Sequence, residues 1–296
     1  MAAIELSGVH KSFGPIKAVN GLDLTVPEGI CLGLLGPNGA GKSTTMKLLT
    51  SQAIADSGSL RVLGYEIPRE GKRARAEMGV VPQLDNLDVD VTVADNLRVF
   101  ARLYRVEDVG AAVDRALALA RLRDRRDDAV DELSGGMRRR LLIARGLVHD
   151  PKLVLLDEPT VGLDPQIRAE VWKLVDDLRS EGKTILMSTH YIEEAERLAD
   201  EVALMTAGAI VARDRPATLI AAHAGIQTAE VFGPPKRLAE VREAAEAGGL
   251  HVRATGPAIA IVGAENAGNG EIPEDAVTRP ASLEDVFVKL TGEELE

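Results

Sequence analysis

Gly36-Pro37-Asn38-Gly39-Ala40-Gly41-Lys42-Ser43-Thr44 follows the apolar run at residues 30–35 and precedes a run at 45–50 compatible with a helix. The stretch fits the pattern G-x-x-x-x-G-K-[ST] between a strand and a helix, the context in which that pattern cradles phosphate. Glycines let backbone approach an anion without Cβ clashes, and the amides of a helix's first turn, aligned with its dipole, complete the anion site. Lys42 is placed to reach the β- and γ-phosphates, and the Ser43 hydroxyl to meet Mg2+. A plain Gly-rich turn would account for the glycines but not for the adjoining Lys-Ser pair. The stretch predicts a nucleoside triphosphate site.

A chain of 296 residues has room for one large domain and a smaller one. Its formal charge of −11 argues against a general nucleic-acid binder, which carries a basic face. The single cysteine, Cys31, lies in an apolar run, reads as a small core residue, and fits a reducing compartment. Residues 1–11 hold no signal-peptide core, and no uncharged apolar stretch approaches about 18 residues, so any membrane role is expected through a partner.

Around the phosphate motif, apolar and polar residues alternate over 4–9 and 19–26, with Lys11-Ser12-Phe13-Gly14 between them. Short strands are predicted at 58–63 and 78–81, the second leading into Pro82-Gln83. Helices are predicted from Thr92, a plausible N-cap, and over 109–121, where Val113, Leu117 and Ala120 recur at helical spacing. The mixed-sign run at 121–128 reads as a solvated helix end and loop. A helix over 134–148 leads to Leu153-Val154-Leu155-Leu156, whose continuous apolarity suits a parallel strand buried on both faces. A helix after Pro165, a strand at 184–189, a helix at 191–198 and a hairpin at 202–211 follow. Strands alternating with helices predict an α/β sheet covered on both faces. After residue 216 the texture changes: strands at 229–232 and 258–262, a helix over 236–247, a loose loop over 263–270 and a helix start at Ser282 predict a small α+β appendage.

Asp157 and Glu158 close the buried strand, and ligands of open parallel sheets sit at the carboxyl ends of strands. Asp157 is thus placed to hold Mg2+, directly or through water, and Glu158 to orient or deprotonate an attacking water. A pair of acids in a surface turn is the simpler reading, and the phosphate motif upstream weighs against it. His190 and Gln83 also close strands; a lone histidine is more often structural, and Gln83 can contact Mg2+ or the water.

Leu133-Ser134-Gly135-Gly136-Met137 resembles the signature motif of ATP-binding cassette (ABC) ATPases. The order of Phe13, the phosphate loop, Gln83, the signature, the acidic strand, Gly162-Leu163-Asp164 and His190 is similar to that family's order. The resemblance implies a P-loop α/β cassette over residues 1–215: a mixed sheet with helices on both faces, antiparallel N-terminal strands and a helical subdomain near 84–148, with an α+β accessory domain over 216–296. It implies that Phe13 stacks on adenine, that Glu158 is the general base of ATP hydrolysis, that His190 contacts the γ-phosphate and that Gln83 couples the site to a membrane partner. It implies a homodimer in which Ser134, Gly135 and Gly136 of one copy, with Asp164 nearby, close on ATP and Mg2+ held by the other. Met137 stands where glutamine is commoner, and Val161 precedes Gly162 where a Ser-Ala pair is usual.

Residues 79–88 and 92–97 and the ending Ser282 to Gly292 resemble the ABC-2 export subfamily, in particular daunorubicin-type drug exporters and exporters of nodulation lipo-oligosaccharides. That implies a separate six-helix ABC-2 type membrane permease as partner and a place at the cytoplasmic face of the membrane. A soluble ABC ATPase acting on nucleic acid or ribosomes is the competing reading. The acidic balance and the lack of sustained heptads between Gly36 and Ser134 disfavour it, and no nucleic acid is expected.

Overall fold

The computed structural model describes residues 2–268 and 270–293. Two long strands, β1 (Ala2–Phe13) and β2 (Ile16–Pro27), open the chain. They pair antiparallel up to Phe13 against Ile16, so Lys11, Ser12 and Phe13 end a strand rather than lie in the connection. Hydrophobic alternation stops at Val9 because the ladder continues past the buried face that alternation reports. β3 (Cys31–Leu35) is buried at every residue, and α1 (Lys42–Leu49) begins inside the phosphate motif. β4 (Ser57–Val62), β5 (Tyr65–Ile67), α2 (Gly71–Ala76) and β6 (Met78–Val81) follow. β5 and α2 go unpredicted because three and six residues are too few for alternation or helical spacing to recur.

Three helices come next: α3 (Val93–Leu103), α4 (Val109–Ala120) and α5 (Gly135–Leu147). Thr92 caps α3 by accepting from the Asp95 amide, and Ser134 caps α5 by accepting from the Met137 amide, as N-cap hydroxyls do. Then come β7 (Leu153–Asp157), α6 (Pro165–Ser180), β8 (Thr184–Thr189), α7 (Ile192–Leu198), β9 (Glu201–Thr206) and β10 (Ala209–Asp214).

The central sheet has the order β10-β9-β3-β8-β7-β6, parallel except for β10. Alternate residues feed two cores. Cys31, Val154, Leu156, Ile185 and Met187 join α3 to α6 on one face, while Leu32, Leu34, Leu153, Leu155 and Leu186 meet α1 and the sheet β2-β1-β4-β5 on the other. Being parallel and neighbouring, β3, β8, β7 and β6 present Gly36, His190, Asp157 and Gln83 along one edge. Burial pushes the Cys31 thiol up to about 12, which keeps it a protonated core side chain.

The remaining chain runs through α8 (Pro216–Leu219), β11 (Gln227–Phe232), α9 (Pro235–Ala247), β12 (His251–Thr255), β13 (Ala258–Val262), β14 (Val277–Pro280) and α10 (Leu283–Thr291). Its antiparallel sheet has the order β12-β13-β11-β14. The expected loose loop at 263–270 contains a short 3-10 turn, Ala264–Asn266, and its Asn269 lies outside the described residues. The appendage shares a buried cluster with the cassette: Phe287, Val286 and Leu283 of α10 pack with Ala195 and Ala199 beside Leu35 and Leu204.

Asp285, fully buried, accepts from Arg279, from Arg253 and from the Ser282 amide. Burial alone would raise its carboxyl; hydrogen bonds from Arg279 and Ser282 and the nearby guanidinium charges outweigh this and hold it below its ordinary value. A depressed carboxyl stabilises the fold above its unfolded pKa, about 3.9, and that contribution is lost as pH falls through the folded value. Asp285→Ala, which leaves the buried Arg253 with Glu284 and Arg279 with Glu230 as their remaining carboxylate partners, is expected to lower unfolding free energy by about 1–3 kcal/mol. Urea unfolding at neutral pH checks this; a loss below about 1 kcal/mol would show the network to be dispensable.

Candidate nucleotide site

Leu35 delivers the chain into a loop in which Gly36 and Gly41 are fixed by space. A Cβ on Gly36 would stand 2.1 Å from the Met205 carbonyl oxygen, and one on Gly41, at φ +104°, 2.2 Å from that of Ala18. The Lys42 ammonium folds back into the loop, donating to the carbonyls of Gly36 at 2.7 Å and Pro37 at 3.0 Å. It lies 3.5 Å from Glu158 Oε1, and the residue is 4% exposed. Burial lowers its pKa, and the attraction of Glu158 and Asp157 only partly opposes that. Ala40 is buried, while Asn38 and Gly39 at the loop's tip are exposed; Ser43 and Thr44, half-buried, continue into α1.

Asp157 Oδ1 accepts from Ser43 Oγ at 3.1 Å and from Ser188 Oγ at 2.5 Å. Glu158 stands at φ +46°, the left-handed region, which costs a residue with a side chain about 1–3 kcal/mol. Its amide donates to both the carbonyl and the hydroxyl of Ser188, each at 3.1 Å. Glu158 Oε2 accepts from Gln83 Nε2 at 3.1 Å, and His190 Nδ1 lies 3.3 Å away without hydrogen-bond alignment. The turned backbone thus aims a buried carboxylate at Lys42, Gln83 and His190 together.

The other expected residues lie apart from this cluster. Ser134 and Gly135 are exposed at the start of α5, while Gly136 is buried, with no room for a Cβ against Ile167 of α6. Asp164 caps α6 by accepting from the Ile167 amide at 3.0 Å. Phe13 is 51% exposed, its ring 5.3 Å from the Lys11 ammonium.

A family model described as ABC transporter matches residues 19–161. Nod factor export ATP-binding protein I of Paraburkholderia xenovorans (strain LB400) is 44% identical over 306 residues, spanning 100% of this chain and 99% of its own. The chain belongs to the ABC transporter family. The protein of the same description from Rhizobium meliloti (strain 1021) is 41% identical, covering 99% of this chain and 89% of its own. Among solved structures, cbiO1 from Clostridium perfringens, part of the ABC transporter complex cbiONQ, is 27% identical at TM-score 0.68, covering 74% of this chain and 91% of its own. The dimeric post-hydrolysis structure of the cassette MJ0796 bound to ADP and Pi is 25% identical at TM-score 0.65, covering 72% of this chain and 98% of its own. The fold is that of the ABC cassette, as the motif order implied, and the protein is the ATP-binding, ATP-hydrolysing subunit of an ABC transporter.

Three residues that pattern alone does not single out hold the cassette's acid loop. Ser188 links Asp157 to Glu158. Glu194 of α7, fully buried, accepts from Thr160 Oγ1 at 2.9 Å and Trp172 Nε1 at 3.3 Å, and its burial raises its pKa. Arg139 of α5 reaches the carbonyls flanking both Gln83 and Glu158. Signals for them exist: a serine inside a fully buried strand demands a polar partner, and Gly136, Arg139 and Ile143 share one helix face. Ser188→Ala keeps the Glu158 amide on the Ser188 carbonyl but frees Asp157 from one hydroxyl, a charge-assisted bond of about 1.5–3 kcal/mol. A lower thermal midpoint with nucleotide affinity within about threefold is expected, checked by calorimetry and equilibrium nucleotide binding.

Proposed function

We propose that this cassette powers an exporter of the ABC-2 type, moving an amphiphilic drug or lipid-linked oligosaccharide through a separate six-helix membrane subunit. The carrying observation is the packing of Lys42, Glu158, Gln83 and His190 at one sheet edge, with Glu158 held between the buried Lys42 ammonium and the side chains of Gln83 and His190. The relatives named for Nod factor export match the appendage as well as the cassette, which favours their branch of the family.

In this reading residues 36–44 bind the phosphates of ATP, and Lys42 trades its two carbonyl partners for phosphate oxygens. Phe13, exposed at the end of β1, stacks on the adenine. The hard oxygens of Ser43 and Asp157, already 3.1 Å apart, fit Mg2+ and would hold it together with phosphate and water oxygens. Mg2+, when bound, neutralises charge on the phosphates. Glu158 orients the attacking water and takes its proton; His190 faces the γ-phosphate; Gln83 contacts the water or the metal shell and joins the site to the membrane subunit. Leu84, next to Gln83 in the chain, and Val99 and Leu103, one turn apart on α3, are exposed apolar side chains open to such a partner.

Two copies form the working unit. The exposed Ser134 and Gly135 at the start of α5 make a second anion site for ATP held by the partner copy, with Gly136 and Asp164 shaping that surface. Residues 1–215 constitute the nucleotide-binding domain, with a helical subdomain near 84–148, and 216–296 an accessory domain. The membrane subunit holds the pair at the cytoplasmic face of the membrane.

Glu158→Gln is expected to bind ATP and to accumulate as an ATP-dependent dimer on size-exclusion chromatography, while turning over about tenfold more slowly or worse; an unchanged rate removes Glu158 from the role of base. Co-expression with a six-span membrane protein of the same operon is expected to bring the chain into detergent extracts as a complex. A chain that stays wholly in the soluble fraction would count against export.

A further inference from the structure

We propose that Arg139 is a positioning residue for ATP hydrolysis, its guanidinium fixing the Glu158 backbone and making that geometry depend on where α5 sits. The inference rests on Glu158 acting as the base. Arg139 is 8% exposed, and its donors all go to backbone carbonyls. Nε donates to Pro159 at 2.6 Å; Nη1 donates to Pro82 at 2.8 Å and Gln83 at 3.1 Å; Nη2 donates to Glu158 at 3.1 Å and Asp157 at 3.4 Å. Among the described residues no carboxylate forms an ion pair with it. A guanidinium has a rigid planar fork of donors, and this one caps the ends of two neighbouring strands at once.

Two features give that clamp a bearing on chemistry beyond stabilising a fold. Glu158 is left-handed at φ +46°, and such a backbone persists only where its surroundings over-determine it. Ser188 grips its amide and Arg139 its carbonyl, so the carboxylate's aim depends on both. Gln83 closes a ring: its side chain donates to Glu158 Oε2 while its carbonyl accepts from the same guanidinium that holds the Glu158 carbonyl.

The helix that carries Arg139 also begins with the exposed Ser134 and Gly135, five residues earlier, or about 7.5 Å along the axis. Gly136 is seated on Ile167 with no space for a Cβ, so the start of α5 and the start of α6 shift together. A load applied at the exposed end of α5, or at the Gln83 segment, therefore reaches the Glu158 carbonyl through one rigid side chain. Glu158 is aimed correctly only when both neighbours are in register.

The test uses the full-length chain with Arg139→Lys and Arg139→Gln, each alone and combined with Glu158→Gln. Lysine keeps the charge but cannot span carbonyls on two strands. Both variants are expected to lower kcat about tenfold or more with KM and equilibrium ATP affinity within about threefold, since small misplacements near a reacting centre cost rates of this order. Neither is expected to change the residual turnover of Glu158→Gln, because the group being positioned is then absent. A kcat for Arg139→Lys within about threefold of wild type overturns the proposal. So does the same fold-loss in both backgrounds, or a loss of folding and ATP binding together in both variants, which makes Arg139 a fold-holding residue only. A wild-type rate in Glu158→Gln alone sinks the general-base reading, a separate failure.

Discussion

The Lys42 ammonium sits almost wholly out of water between two loop carbonyls and the Glu158 carboxylate, and the carboxyl edge of the central sheet is built round that charge. A buried cation is costly unless hydrogen-bonded and paired. Here the carbonyls come from the loop itself, so its glycines must let the backbone turn inward, and the anion comes from a strand end two positions away in the sheet. Those requirements fix the strand order near the site. β3 must deliver the loop and β7 the acids, with β8 between them supplying Ser188 to both Asp157 and Glu158. In the function proposed here, binding ATP means replacing carbonyl partners with phosphate oxygens of higher charge, an exchange prepared by a cation already desolvated.

This arrangement demands rigidity behind it. Each strand of the edge is sandwiched: alternate residues go into a core with α3 to α6 or into one with α1 and the N-terminal sheet. A strand held on both faces cannot slide, so its terminal carbonyls and side chains stay where the edge needs them. The segments that leave the edge toward the surface are the exposed chain at residues 83–86 and the exposed start of α5 at Ser134 and Gly135. Both reach Glu158 by hydrogen bonds, one through Gln83 and the other through Arg139. The chemistry is held by the core, while the inputs that could change it arrive from the surface.

Local pattern carried much of this and stopped at identifiable places. The apolar runs that became β3 and β7, the phosphate motif, the capping residues Thr92 and Ser134 and the acidic strand end were all readable, because each is a property of neighbours in sequence. β5, β12 and β14 were not: β5 has three residues and β12 shows no clean alternation, though each pairs with its neighbour across a tight turn, and β14 pairs with β11, about fifty residues earlier. Phe13 falls between the two alternating runs in the sequence because the ladder outlasts the alternation. Arg139 is instructive: in a run of three arginines it reads as one more solvated charge, and its burial depends on carbonyls some twenty and sixty residues away. Glu194 stands beside the exposed Glu193 and differs from it only by the helix face it occupies. Sequence reports which face is apolar; it does not report which distant backbone groups a polar side chain on that face will satisfy.

The same logic bears on the appendage. α7 starts two residues after His190 and presents Ala195 and Ala199 to a cluster that includes Leu35, the last residue of β3 before the phosphate loop. α10 closes that cluster with Leu283, Val286 and Phe287, and the Leu283 amide donates to Glu196 of α7 at 2.8 Å. α10 is in turn locked to its own sheet by Asp285 against Arg253 and Arg279. The appendage is therefore fastened to the cassette helix that leaves from His190, through apolar contact beneath the phosphate loop, and a change in its packing has a short path to two of the residues that surround Glu158. A merely tethered domain would need only a linker. The buried helix, the shared core and the ion network that anchors it make the appendage part of the support on which the nucleotide edge rests.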